Sequence, residues 1–181
     1  MRQAVTRRKP KTTGGNMNAA TGKREPRHIV ATYGRFLEDF VVGDVYDHRP
    51  GRTVTEADNI QFSLMTMNQH PMHCDHAFAA KSEFGKPLVN SGLTLAIVLG
   101  MTVNDVSAQS VANLGWDEIK LTAPVFPGDT IYARSEVLDV RESRSRPTQG
   151  IVTTRTIGYK ADGTEFMTFV RKSLILKRAD R

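Results

Sequence analysis

Apolar and polar positions change rhythm once along this chain. After an irregular lead-in from Tyr33 to Asp44, Gly43-Asp44 signals a turn, and short strand-like pieces follow at Val45-Tyr46 and Thr53-Val54. Thr55 then stands three residues before Asp58, an approximate capping box. Ala57, Ile60, Leu64 and Met67 recur at helical spacing, which predicts a short helix over about 55–66. Pro71 should interrupt it, and Asp75 can cap a second helix through Ala77, Phe78 and Ala80 that ends at Gly85. Asn90 to Val103 is the most apolar stretch, with almost no polar face, so a helix there must be wrapped on most sides.

From residue 111 the period becomes two. Val111 to Lys120, Thr130 to Val140, Gly150 to Tyr159 and Glu165 to Leu176 alternate and are rich in β-branched residues. Pro127-Gly128-Asp129, Arg146-Pro147 and Asp162-Gly163 separate them as turns. An early strand, then helices, then four antiparallel strands describe an α+β domain in which a curved sheet wraps one long apolar helix, the layout of a hot-dog fold. A sheet covered on one side, with open edges, usually needs a second copy, so a homodimer is expected.

Composition changes this picture at one place. The 181 residues carry 25 Lys and Arg against 19 Asp and Glu. Eight of the basic residues (Arg2, Arg7, Arg8, Lys9, Lys11, Lys23, Arg24 and Arg27) fall before residue 29, against the single acid Glu25, so that segment is +7 and the rest −1. Residues 1–30, with Gly and Pro and few large apolar side chains, are expected to be a disordered basic tail, and residues 31–181 the folded domain. A near-neutral body argues against specific nucleic-acid binding. No apolar run reaches the roughly 18 residues that span a bilayer, and the first residues lack the apolar core of a secretory signal. With Cys74 alone, no internal disulfide or multi-cysteine metal site can form, and a reducing, cytoplasmic setting is expected.

Candidate chemistry concentrates in Thr66-Met67-Asn68-Gln69-His70-Pro71-Met72-His73-Cys74-Asp75-His76. Three histidines in seven residues can be a polar turn and nothing more. A metal site is disfavoured because Pro71 breaks the helix that would align His70, His73 and His76 with Asp75, and no second cluster completes a shell. Cys74 reads as a small buried residue rather than a nucleophile. Ser91 reads as a helix cap rather than a nucleophile, since no base lies at a recognisable spacing.

Several separately placed motifs carry a resemblance. Asn68-Gln69-His70-Pro71-Met72-His73, then Phe84-Gly85, then Ser91-Gly92-Leu93-Thr94, and later Pro124-Val125-Phe126-Pro127-Gly128-Asp129, span nearly the whole body. Together they resemble the MaoC-like, R-specific enoyl-CoA hydratase family, whose pattern is Gly-Asp-x-Asn-Pro-(Leu/Ile/Val)-His, a short helix, Phe-Gly, a Gly at the entry of the central helix, and Pro-Val-x-Pro-Gly-Asp. The resemblance places the family's catalytic His on His73 and its backbone donor on Gly92. The family's catalytic Asp falls on Asn68, which can orient water but cannot transfer a proton near neutral pH. Proton transfer then rests on His73 alone, or on Asp75 or a partner-subunit residue, or the site no longer turns over. Asn68-x-His70-Pro71-x-His73-x-Asp75, Val89-Asn90-Ser91-Gly92-Leu93-Thr94 and Arg141-Glu142-Ser143-Arg144-Ser145-Arg146-Pro147 look most like the itaconyl-CoA and mesaconyl-CoA hydratase branch.

The resemblance implies hydration of a short, possibly branched dicarboxylic enoyl-CoA, with the thioester as substrate and no cofactor or metal. Such chemistry needs a base for water, a proton for Cα and a donor for the enolate-like oxygen. Ser91, Arg144 and Arg146 are expected to touch substrate, the arginines, from the same or the partner subunit, through a carboxylate or CoA phosphates unless the run is a solvated hairpin end. The rival readings are a hot-dog thioesterase, which would want a carboxylate on the central helix, and a non-catalytic acyl-CoA-binding relic.

Overall fold

The computed structural model describes residues 33–178, so the expected basic tail, residues 1–30, lies outside the described residues. Five strands, β1 (Val45–Thr53), β2 (Ser110–Leu121), β3 (Thr130–Glu142), β4 (Gln149–Lys160) and β5 (Glu165–Leu176), form one antiparallel sheet in the order β1-β3-β4-β5-β2. Three helices, α1 (Glu56–Met65), α2 (His76–Ala79) and α3 (Ser91–Met101), lie between the first two strands in sequence. The two early strand pieces are thus one strand, with a cis Arg49–Pro50 bond and a register shift between His48 and Arg52. This is the hot-dog arrangement, an α+β fold with α3 against the sheet.

Alternation places the core. Val54, Ile131, Ala133, Phe166, Met167 and Phe169 meet Leu93, Ile97 and Val98 of α3. Each fully buried side chain of this size contributes about 2 kcal/mol. A second cluster of Leu37, Phe40, Val137, Val152 and Ile175 lies under the lead-in. α3 stops two residues before Val103, and a π-helical turn, Val103–Ser107, follows. A polar chain ties that turn to the sheet: buried His48 joins Asp105 (Nδ1–Oδ2 2.9 Å) and Ser135 (Nε2–Oγ 2.8 Å). Burial pushes the Asp105 carboxyl up, but hydrogen bonds from His48 and Arg35 outweigh it and hold it below the ordinary carboxylate range.

One helical expectation is corrected. α2 is a single turn that does not reach Gly85, because the Ser82 hydroxyl donates to the Ala79 carbonyl (2.6 Å) and the chain tightens into turns. α1 has its capping box, with Thr55 and Asp58 bonded reciprocally, but its inward face is not the apolar one. Its buried residues are Asn59 and Ser63, four apart, while Leu64 is 71% exposed and Met67, just beyond the helix, 83%.

Candidate active site

The histidine-rich segment turns sharply between α1 and α2. Met67 adopts φ 57°, left-handed backbone at the position where the family pattern has glycine. The Asn68 N–H donates back to Ser63 O (2.9 Å), and the Asn68 Oδ1 accepts the His70 N–H (3.2 Å). Pro71 begins a 3₁₀ turn, Pro71–His73, where its missing N–H costs nothing.

Each of the three histidines has its own task. His70 caps this turn, its Nδ1 accepting the Met72 N–H (3.1 Å). His76 pairs with Glu56 on α1. His73, half-buried, sets its Nδ1 3.0 Å from the carbonyl oxygen of Leu88. A carbonyl only accepts, so the Nδ1 carries the proton, and in the neutral imidazole the Nε2 keeps its lone pair. Among the described residues no group of three or more His, Cys, Asp or Glu converges as a metal would require.

Leu88 links this histidine to α3. Its side chain lines a cavity of about 330 Å³ with Phe84, Ser91, Thr94, Leu121 and Phe166, so the cavity wall, the first turn of α3 and the His73 anchor share one stretch of chain. Asn59, fully buried on α1, joins them: its Nδ2 donates to His73 O (2.8 Å) and Leu88 O (2.9 Å), and its Oδ1 accepts the Asn90 N–H (2.7 Å).

The other candidate residues fall as follows. Asn90, not Ser91, is the N-cap of α3; Ser91 is its first residue and faces the cavity. The Gly92 N–H is engaged by the Asn90 Oδ1 at 2.9 Å, so the expected oxyanion donor is held by its own cap, while the Ser91 N–H meets no acceptor among the described residues. A Cβ on Gly92 would lie 3.2 Å from the Asn90 Oδ1 and 3.3 Å from the Phe62 ring, so one of them would have to give by a few tenths of an ångström. Asp75 is the α2 cap, its Oδ1 accepting the Phe78 N–H (2.9 Å), and no hydrogen bond joins it to His73 among the described residues. Cys74 is a free and exposed thiol, contrary to the buried residue expected, because it lies on the outer side of the turn.

Arg144 and Arg146 lie in the exposed β3–β4 hairpin, beyond Glu142. The cavity lies at the Thr130 end of β3, where Val89 bonds to Val125. A 13-residue strand separates the two ends, about 40 Å at the usual rise per residue. Within one protomer these arginines do not reach His73. Sequence reasoning also missed Asn59 and Asn90. The only available signal was a polar pair, Asn59 and Ser63, at helical spacing within an otherwise amphipathic helix.

Comparison with known proteins fits this geometry. The MaoC like domain matches residues 39–160. A mesaconyl-CoA hydratase from Cereibacter sphaeroides is 33% identical over 145 residues, covering 80% of this chain and 42% of that protein; the chain thus spans about two fifths of the length of this curated relative. The crystal structure of a MaoC-like dehydratase from Rhodospirillum rubrum superposes with a TM-score of 0.72 at 29% identity, over 81% of this chain and all of that one. A Mycobacterium tuberculosis protein described as having a double hot-dog fold shares the fold, with a TM-score of 0.75 at 22% identity over 82% of this chain and 46% of that one. With one family profile running from the lead-in to the end of β4, over about two thirds of its length, the chain belongs to the MaoC-like family.

Proposed function

We propose that the site adds water reversibly across the double bond of a short, branched dicarboxylic enoyl-CoA. The observation that carries this reading is the His73 imidazole, whose Nδ1–H is fixed on the carbonyl of Leu88, shortly before α3 begins at Ser91, so that Nε2 is left to act as a base. Nε2 takes a proton from water as the oxygen bonds to Cβ; the π electrons move toward the thioester oxygen; the imidazolium then returns its proton to Cα. One water is added, and no cofactor enters. The Asn68 amide orients the water and moves no proton. The thioester oxygen takes the Ser91 N–H and shares that of Gly92 with its cap, at the positive end of α3, where a well-placed donor is typically worth about 3 kcal/mol. The acyl group occupies the cavity faced by Ser91 and Thr94. The mesaconyl-CoA hydratase relative supports the substrate class.

The same reading places two copies side by side. β2 is an edge strand with Val111, Leu114, Trp116, Ile119 and Leu121 exposed. The double hot-dog chain, about twice this length, shows that two units of this fold can occur together. A two-fold axis pairs β2 with its copy antiparallel. Because β2 runs from the hairpin end of the sheet to the cavity end, this puts the partner subunit's Arg144 and Arg146 at the end that holds His73, as counter-charges for a carboxylate or CoA phosphate. No helix among the described residues is long and apolar enough to cross a membrane. A free exposed thiol fits a reducing cytoplasm.

The test is a panel of enoyl-CoAs, following the conjugated thioester band and free thiol separately. Band loss without thiol is the expected outcome; thiol release makes the protein a thioesterase, and no change makes it a binding relic. Mixed dimers of His73→Ala with Arg144→Ala/Arg146→Ala chains then test the hairpin. Acting across the interface, it leaves one intact site per mixed dimer; acting within a protomer, it leaves none.

A further inference from the structure

We infer that Asn59 is a positioning residue, which sets both the place and the tautomer of His73; this rests on the reading of His73 as the base. Asn59 has no exposed surface and lies 14 residues from His73 and 31 from Asn90 in sequence. Its amide bonds in two opposite senses. Both Nδ2 hydrogens go to carbonyls, His73 O and Leu88 O, and Oδ1 takes the Asn90 N–H. Only a side-chain amide offers two donors and an acceptor on so short a stem. Leu88 O therefore accepts twice, from Asn59 and from the His73 Nδ1–H. By holding that carbonyl, Asn59 holds the acceptor that keeps the proton on Nδ1 and the lone pair on Nε2. Through the Asn90 N–H it holds the same histidine in register with the cap of α3, whose Oδ1 in turn occupies the Gly92 N–H. The base and the helix N-terminus that receives the developing charge are joined through one buried amide. Partners that orient an imidazole through its other nitrogen are typically worth about 10–100-fold in the function they support.

Two variants separate this role from a merely structural one. Asn59→Leu removes all three bonds. Asn59→Asp keeps the acceptor for Asn90 and loses both donors, so it preserves the link to α3 while releasing Leu88 O and His73 O. The readouts are the His73 tautomer, from imidazole nitrogen NMR assigned with His73→Gln, and steady-state kinetics on the best enoyl-CoA found. In the wild type His73 should be in the Nδ1–H form. In folded Asn59→Asp the population should shift toward Nε2–H and kcat fall by about tenfold or more, with KM changing less than about threefold. Asn59→Leu should do at least as much; should it fail to fold, Asn59→Asp carries the test. A wild-type tautomer population in folded Asn59→Asp overturns the inference, whatever the rate. The tautomer is read without substrate, so a wild-type protein that hydrates nothing removes the assigned reaction and leaves this measurement standing.

Discussion

α1 and α3 are both anchored from within the fold, α3 against the sheet and α1 against the segment 73–90, and their buried faces differ in chemistry. α3 buries Leu93, Ile97 and Val98 against strand residues, and its place follows from apolar area removed from water. α1 buries Asn59 and Ser63 and leaves Leu64 and Met65 outside. Its inner face is held by directional bonds to carbonyls and an N–H of the segment 73–90. Apolar packing tolerates slippage within a volume; a saturated amide does not, because an unmade buried bond costs the full desolvation of the group. On the proposed mechanism, the element that must keep a base at a fixed place and tautomer is the one built from hydrogen bonds, and the apolar helix supplies the dipole. Leu64 and Met65 on α1, like Val111, Leu114 and Trp116 on β2, are apolar and exposed.

The largest effect should come where the two helices meet. His73→Ala should lower turnover by about 10²–10⁴-fold, the usual worth of a general acid–base group. Asn68→Ala, which loses a water-orienting amide and a turn bond but no proton carrier, should cost about tenfold. Kinetics on variants shown folded by circular dichroism checks both. Equal losses at the two positions would remove the division of labour.

The same substitution made on each helix tests the contrast in stability. Leu93→Ala on α3 should cost about 3 kcal/mol, a transfer term plus the cavity left behind. Leu64→Ala on α1 should change the stability of the protomer by no more than about 0.5 kcal/mol, and any larger effect should appear as a weaker dimer at low concentration. Denaturant melts at two protein concentrations separate these outcomes.

The contrast also explains what the sequence disclosed. Strands β2 to β5 and α3 were legible because their signal is a period of apolar residues, and the period is local. The capping box of α1 was legible for the same reason, since Thr55 and Asp58 are three apart. The phase of α1 was not, because the groups that satisfy Asn59 lie at residues 73, 88 and 90, and no window of local sequence holds both partners. The histidine cluster was legible as a place but not as a set of roles: which ring is cap, which is ion-paired and which is base depends on the atom each nitrogen meets. Which subunit's site Arg144 and Arg146 serve was not legible, because a motif near a turn carries no information about which end of the sheet that turn occupies.

The smallest expected effect concerns how α1 begins. The Thr55 backbone N–H donates to the Asp58 carboxylate (2.9 Å), with the Thr55 hydroxyl adding to it, and this holds the Asp58 carboxyl below its ordinary range. A carboxylate whose folded pKa is depressed contributes stability that is present above its unfolded value, near 4, and is lost as pH falls through the folded value. Acidification below about pH 4 should therefore loosen the first turn of α1 before α3 is touched, since α3 has no acid in its first turn. Asp58→Asn keeps a side-chain oxygen for the Thr55 N–H but removes the charge, and should cost about 0.5–1 kcal/mol at neutral pH. It should also abolish the acid-dependent part of amide exchange at residues 56–59. Hydrogen exchange across pH 3 to 6 on both proteins measures this; identical pH dependence in the two would mean that the box holds by shape alone, and that α1, like α3, begins without help from charge.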